Sequence, residues 1–326
     1  MRFLFLFLLS LLPLYSQIFS VAIDNDYVFH SDDHYTGGMQ VGWMSDTYDY
    51  NISNWYVSSM SNMASLLKIA DFDGKHQNAS INLQEIIITP KNLAAHKPLY
   101  NDVPYVGILA ANFSLFLWET SMFEEYKFSI GAVGSHSGGQ QLQDAAHKIV
   151  GNSGANGWDN QIGDRVLLQA GYIKGIRQFE KSFTDGMGFE WFNNYFLDIG
   201  NIYTGAGFGS TVRYGYNMPK NFTQTGSLLN SSQNDQLNLD TYDKNWGWSL
   251  NAGVAVDGVG YSYLYDEAKR RGYEFDRLRI IPRGQLGIDF YTRDLRLSVE
   301  LFPFGPTKSS FESNSFGRIA LTWQMN

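Results

Sequence analysis

The chain has 326 residues, 16% of them aromatic, with 32 glycines and no cysteine. Only 17% are charged, well below the roughly 25% of an average soluble protein. A net charge of −8 excludes the basic footprint of a nucleic-acid binder, and without cysteine there is neither a thiol nucleophile nor a disulfide framework.

At the N-terminus, Arg2 precedes the apolar run Phe3 to Leu12. A charged n-region and an h-region too short to span a bilayer predict a signal peptide over 1–16, leaving 17–326 as a single exported domain. No internal stretch reaches the roughly 20 apolar residues of a membrane helix. Apolar side chains instead recur at every second position. Phe19, Val21 and Ile23 alternate with Ser20 and Ala22, and Met39, Val41 and Trp43 with Gly38, Gln40 and Gly42. Leu250, Ala252 and Val254 alternate with Asn251 and Gly253, and Leu297, Val299 and Leu301 with Ser298 and Glu300. One apolar face and one small or polar face at period two is the pattern of a transmembrane antiparallel β-barrel with lipid outside and a polar interior. A large soluble β-sandwich shares the composition but does not need the alternation through so many long strands.

Twelve such runs are predicted, over 17–25, 36–45, 78–89, 105–118, 125–134, 164–178, 186–199, 204–216, 246–266, 279–291, 294–304 and 315–325. An even count closes a barrel with both chain ends on one side. If the first strand leaves the periplasm, the odd-numbered connections open extracellularly, and the first three (26–35, 90–104 and 135–163) bring their side chains to one rim. Segments 46–77 and 217–245 are long for the opposite rim, and the pattern gives no reason for it.

The first connection is rich in oxygen donors, with Asn25, Asp26, Asp32, Asp33 and Thr36, the ligand type that a hard cation such as calcium takes, though without EF-hand spacing. In the second, Lys91 and Lys97 are placed to meet the phosphates of an anionic lipid. The third carries Gly138-Gly139-Gln140-Gln141-Leu142-Gln143-Asp144-Ala145-Ala146-His147, which predicts a short helix. Gln143 and His147, four apart, share one face of it. An imidazole exchanges protons near neutral pH and suits a general base. No Gly-x-Ser-x-Gly elbow supplies a serine nucleophile, so a hydrolase here would activate water directly.

Taken together these motifs resemble the outer-membrane lipid A 3′-O-deacylases, the LpxR-type family. The resemblance rests on Asn25-Asp26 with Tyr35-Thr36-x-Gly38, on Thr89-Pro90-Lys91-Asn92 with Asp102-x-Pro104-Tyr105-x-Gly107, and on Gly138-Gly139-Gln140-x-x-Gln143-x-x-x-His147-x-Ile149-x-Gly151 with Trp158-x-x-Gln161. Ser135-His136 departs from it, standing where relatives commonly have proline. The resemblance implies a twelve-stranded outer-membrane barrel that removes the 3′-linked acyloxyacyl group of lipid A, in lipopolysaccharide, by calcium-dependent ester hydrolysis. It implies His147 as the base that activates water, Asn25 as an orienting group, Asp26 as a calcium ligand, and Thr36 and Gln143 as completing the site. Lys91 and Lys97 both remain candidates for the family's loop lysine. A monomer with its site on the extracellular side is expected. The alternatives are an outer-membrane phospholipase with a serine nucleophile, and a porin or adhesin without activity.

Overall fold

The computed structural model describes residues 17–25, 34–49, 52–150, 154–223, 236–237, 242, 244–274, 279–304 and 315–325. The predicted signal peptide over 1–16 and Asp26 with the rest of 26–33 lie outside the described residues.

Twelve strands close into one antiparallel barrel: β1 (Gln17–Asn25), β2 (His34–Met44), β3 (His76–Thr89), β4 (Val106–Trp118), β5 (Met122–Val133), β6 (Arg165–Ser182), β7 (Met187–Gly200), β8 (Tyr203–Tyr216), β9 (Trp246–Ser262), β10 (Ile280–Thr292), β11 (Leu295–Phe304) and β12 (Phe316–Met325). Each strand pairs with its neighbour in sequence, and β1 closes the ring on β12 from Gln17↔Met325 to Asn25↔Gly317. The alternation decides which side chains face out. Val21, Ile23, Leu168, Leu197, Leu250, Val254, Leu297 and Leu321 are exposed on the outer wall, while Asn82, Asn112, Asn194 and Ser249 are buried inside. Apolar side chains are on the outside because hydrocarbon, not water, is the solvent there.

The interior is packed. Arg318 holds Asp24 through two bonds of 2.6 and 2.9 Å, Arg296 holds Asp289 at 2.9–3.0 Å, and Glu190 takes both Arg213 and Arg177. Such pairing is what makes buried charge tolerable. It also fills the lumen that a porin would leave open.

The chain folds inward at both ends, and at one of them this accounts for the start of segment 217–245, which the sequence pattern left unexplained. Residues 217–223 turn inward at one rim. Arg213 donates to the carbonyls of Pro219 (2.9 Å) and Asn221 (3.1 Å), and Phe222 packs between Phe123 and Phe192. At the other rim the run expected to stay extended to 266 breaks at Ser262, and a helix follows over Tyr263–Arg270. There Tyr263 and Ala268 join inward-facing Ile86, Ile88 and Ile108 in one apolar cluster. A strand-like alternation cannot reveal this, because the helix is only two turns long and its buried positions overlap the strand's.

Two further helices lie on the outer wall. The first, α1 (Trp55–Leu66), occupies the long segment 46–77. Asn54 caps it, its side-chain oxygen accepting from Tyr56 N (2.9 Å) and Val57 N (3.2 Å). Tyr56, Val57 and Ala64 face the barrel, packed against Trp43, Ala79, Leu115 and Leu117. The second, α2 (Gly139–Val150), is the predicted helix; the two-turn helix at Tyr263–Arg270 is α3. Chain order puts α1 in the second connection and α2 in the fifth, so they sit at opposite rims. The rim carrying α2 and α3 is called the site rim below, the other the far rim.

Candidate functional site

Helix α2 is tied to the barrel at its first turn. Gly138 enters it with φ +91°, a left-handed conformation that glycine adopts without a Cβ penalty. Ser137 then caps it, its hydroxyl accepting from Gly139 N at 3.1 Å while bonding the carboxyl of Glu85 on β3. Gly139 lies against Gly107 of β4: a Cβ on Gly107 would meet Ser137 Oγ at 2.1 Å, and one on Gly139 would meet the Cα of Gly107 at 3.0 Å. Two glycines from distant motifs thus set how close helix and wall come.

The face of α2 turned to the wall is polar. Gly139, Gln143 and His147 recur at intervals of four, one stripe along the helix, and both polar side chains are buried, Gln143 at 2% and His147 at 7% exposure. Trp158 Nε1 donates to Gln143 Oε1 at 2.7 Å, which fixes the amide's orientation and leaves its NH2 group turned away. Among the described residues, Gln143 Nε2, His147 Nδ1 and Glu85 Oε1 are all buried without a hydrogen-bond partner. Buried polar atoms in that state are rare and costly unless a ligand or water meets them. Leu142 and Trp158 pack with outward-facing Ile87 of β3 and with Tyr105. The site is therefore on the outside of the barrel, where a lipid can approach sideways from the bilayer, and not in the lumen.

Strand register connects this to the first motif. Asn25 pairs with Gly37, Gly37 with Ile87 and Ile87 with Gly107. Asn25, Gly37, Ile87 and Gly107 therefore form one row across β1 to β4. Thr36 is the extra residue where the β2–β3 register shifts between Tyr35 and Gly37, a β-bulge that re-aims the chain at the rim. Asn25 and Thr36 are brought together at one level of the wall, and α2 stands over the other end of the same row. Asp26 follows Asn25 directly, outside the described residues.

The lysines are placed by the second motif. Asp102 accepts from Lys91 N at 2.9 Å and Val103 N at 2.8 Å, stapling the start of the 90–104 connection to its end. Asn156 N reaches Leu93 O (2.9 Å) and Asn160 Nδ2 reaches His96 O (2.9 Å), so this connection packs against the one carrying α2. Lys91 and Lys97 are both exposed at the site rim.

The departure at Ser135-His136 forms, with Asp164, a serine–histidine–aspartate cluster. Its geometry is not that of a catalytic triad. Asp164 accepts from the Ser135 hydroxyl at 2.8–2.9 Å and binds His136 Nδ1 at 3.1 Å, so the serine and the carboxylate crowd the same ring nitrogen. The hydrogen bonds from Ser135 hold the Asp164 carboxyl below its ordinary range. The cluster is an exposed loop clasp, which weighs against a serine phospholipase.

Sequence reasoning gave no role to Trp158, Glu85 or the Gly107–Gly139 contact. For Glu85 a signal exists: it breaks the outward apolar run Ile81, Leu83, Ile87 with a carboxyl. Among the described residues no three His, Asp or Glu side chains cluster to hold a metal. The amide and carboxylate oxygens of Asn25 and Asp26 are the donor chemistry a hard cation takes, so the adjacent pair fits calcium in kind.

A family profile described as "Outer membrane protein LpxR" matches residues 3–325. Among solved structures, LpxR from Salmonella typhimurium is similar over 94% of this chain and 100% of its own, with TM-score 0.73 and 16% identity. The β domain of the Bordetella autotransporter BrkA covers 95% and 99% at TM-score 0.44 and 8% identity. An outer-membrane channel from Pseudomonas putida F1 covers 96% and 97% at TM-score 0.46 and 8% identity. No curated protein matches. The match of the profile along nearly the whole chain shows that this outer-membrane β-barrel belongs to the LpxR family of lipid A 3′-O-deacylases.

Proposed function

We propose that the chain hydrolyses the ester of the 3′-linked acyloxyacyl group of lipid A, with His147 as general base, at a site on the extracellular side of the outer wall. The observation that carries this reading is the pair of unpartnered buried atoms, His147 Nδ1 and Gln143 Nε2, on the face of α2 turned toward a lipid-exposed wall. His147 takes a proton from water as the water oxygen bonds to the ester carbonyl carbon. The ester C–O bond then breaks, and the imidazolium returns the proton to the departing sugar oxygen. Gln143, held by Trp158, directs its NH2 at the carbonyl oxygen, where charge builds up. Asn25 and Thr36 line the other end of the row and orient the water or substrate, while Lys91 or Lys97 meets a lipid A phosphate.

Lengths support one enclosed site. From Gly139 to His147 is about 12 Å of helix, and Gly107 to Asn25 is about 14 Å, three strand spacings. Asn25 and Asp26 would hold calcium, which when bound supplies positive charge beside the reacting carbonyl. A monomer suffices for every residue named.

The test is mass spectrometry of Kdo–lipid A incubated with folded protein and calcium. Loss of the 3′-acyloxyacyl mass is expected, with the rate falling on the order of 10²–10⁴ in His147→Ala and collapsing on chelation. Unchanged lipid with folded, calcium-replete protein refutes the reading.

A further inference from the structure

On the outer wall at the far rim, α1 and the barrel flank an open cavity of about 820 Å³, within the roughly 300–1,000 Å³ of ligand pockets. Its helix side is apolar, with Met60, Met63 and Leu67 among the lining residues. Its barrel side is ordered in three rows fixed by strand register. Nearest the rim, Glu124 pairs with Lys174. The next row holds Tyr126, Tyr172 and Leu197, and the third Phe128, Ala170 and Ile199. Charge, phenol and hydrocarbon follow one another toward the membrane interior, the order of an amphiphile's own parts.

The charged row is built. Glu124 accepts from Lys75 at 2.7 Å and from the Tyr172 hydroxyl at 2.8 Å, with Lys174 at 3.7 Å. Asp71 lines the same mouth. Lys127 also borders the cavity but is buried beside Glu125 and Asp198. The charges around the mouth, Asp71 and Glu124 with the Lys75 and Lys174 that Glu124 holds, sum to zero, complementary to a headgroup that itself carries one phosphate and one ammonium. The small side chain of Ala170 leaves the floor of the groove open. Trp55, Met63, Leu66, Leu67 and Ile69 are exposed on and just after α1, so the helix presents apolar side chains to the bilayer as well as to the barrel. That is a helix lying in the membrane interface, continuous with the barrel's lipid-facing band.

We infer that this groove is a binding site for a zwitterionic phospholipid of the ethanolamine type. An acyl chain lies between α1 and Ala170, the phosphate meets Lys174 and the ammonium meets Asp71. The occupant comes from the leaflet at the far rim, the inner one in the orientation proposed above. Binding itself does not depend on the deacylase reading, and its test contains no lipid A.

The test is native mass spectrometry of the full barrel reconstituted with equal phosphatidylethanolamine and phosphatidylglycerol, then released from detergent. The expected result is a retained phosphatidylethanolamine adduct. Ala170→Phe, which fills the groove from the lipid-facing side, should lower retention at least about tenfold, the equivalent of about two methylenes left unburied. Lys174→Gln should narrow the preference over phosphatidylglycerol. Heat-modifiable migration on gels confirms that each variant is folded. Equal retention of both lipids, adducts of detergent only, or an unchanged adduct in folded Ala170→Phe would each overturn the proposal.

Discussion

Helices α1 and α2 are both twelve residues long, and both lie on the outside of the same barrel at opposite rims. They differ in what they turn to the wall. The inner face of α1 is Tyr56, Val57, Met60, Ser61 and Ala64, a mostly apolar seam whose hydroxyls are paired, Tyr56 OH to Ser80 O at 2.8 Å and Ser61 Oγ to Gln77 Oε1 at 2.7 Å. The inner face of α2 is Gly139, Gln143 and His147, with two buried nitrogens that no described residue meets. A helix that only needs to stay attached is built like α1. Placing unpaired polar atoms under a helix costs stability, of order 1–3 kcal/mol for each group, and that cost falls at the helix for which chemistry is proposed. The wall under each helix matches. Beneath α1 it is mainly aromatic and aliphatic, with one amide, Gln77, already paired to the helix, whereas beneath α2 it carries Gly107, facing Gly139 of the helix, and the carboxyl of Glu85.

The contrast breaks most sharply if α2 is lifted from its wall. Gly107→Val puts a branched side chain where a single Cβ would already meet Ser137 Oγ at 2.1 Å. The barrel should still form, because Gly107 faces outward and its backbone pairs normally with Ile87. His147 should then stand an ångström or more from its working position, at a cost of about 10²-fold in kcat. Lipid A turnover alongside heat-modifiable migration separates this from misfolding. A folded Gly107→Val variant with full activity would mean that the glycine contact does not set the site.

Trp158→Phe is gentler. It keeps the aromatic packing on Tyr105, whose ring lies 5.1 Å from that of Trp158, but removes the donor that fixes Gln143 Oε1. The amide can then turn over and present oxygen to the developing oxyanion. About tenfold in kcat is expected, near the worth of one hydrogen bond. KM should hardly move, because the role proposed for the amide is on the transition state. A matching rise in KM with unchanged kcat would reassign Gln143 to substrate binding.

The same contrast explains what could be read from the sequence. Strands were legible, because side chains facing hydrocarbon and side chains facing a polar lumen must alternate, and twelve runs became twelve strands with ends shifted by a few residues. Helix α2 was legible through its flanking glycines and the i,i+4 pair. Helix α1 was not. With apolar side chains facing both barrel and lipid, its sequence WYVSSMSNMASL has no helical stripe of polarity to detect. The placement of the site on the outer wall was hidden as well, because connection order assigns a rim but not a side. That took the register linking Asn25, Gly37, Ile87 and Gly107, together with the packing of Leu142 against the cluster that holds Ile87 and Trp158. Segment 217–223 was unreadable for another reason: its burial depends on Arg213 and Arg177 donating to its carbonyls, a long-range pairing with no local signature.

The smallest expected effect tests whether the two helices are independent. Asn54→Ala removes the cap that takes the amides of Tyr56 and Val57, at a cost of about 1 kcal/mol to α1. Hydrogen exchange over residues 55–66 should speed up by about fivefold, the factor that energy corresponds to. Strand amides of β3 and β4 should keep their protection, since their ladder pairs from His76↔Trp118 to Ile88↔Val106 do not involve the helix. Deacylation should be unchanged, because β3 and β4 run from the seat of α1 to the seat of α2 as hydrogen-bonded strands that a frayed helix end does not shift. A drop in turnover in step with the faster exchange would show instead that the wall transmits strain from one rim to the other, and α1 would then belong to the working site.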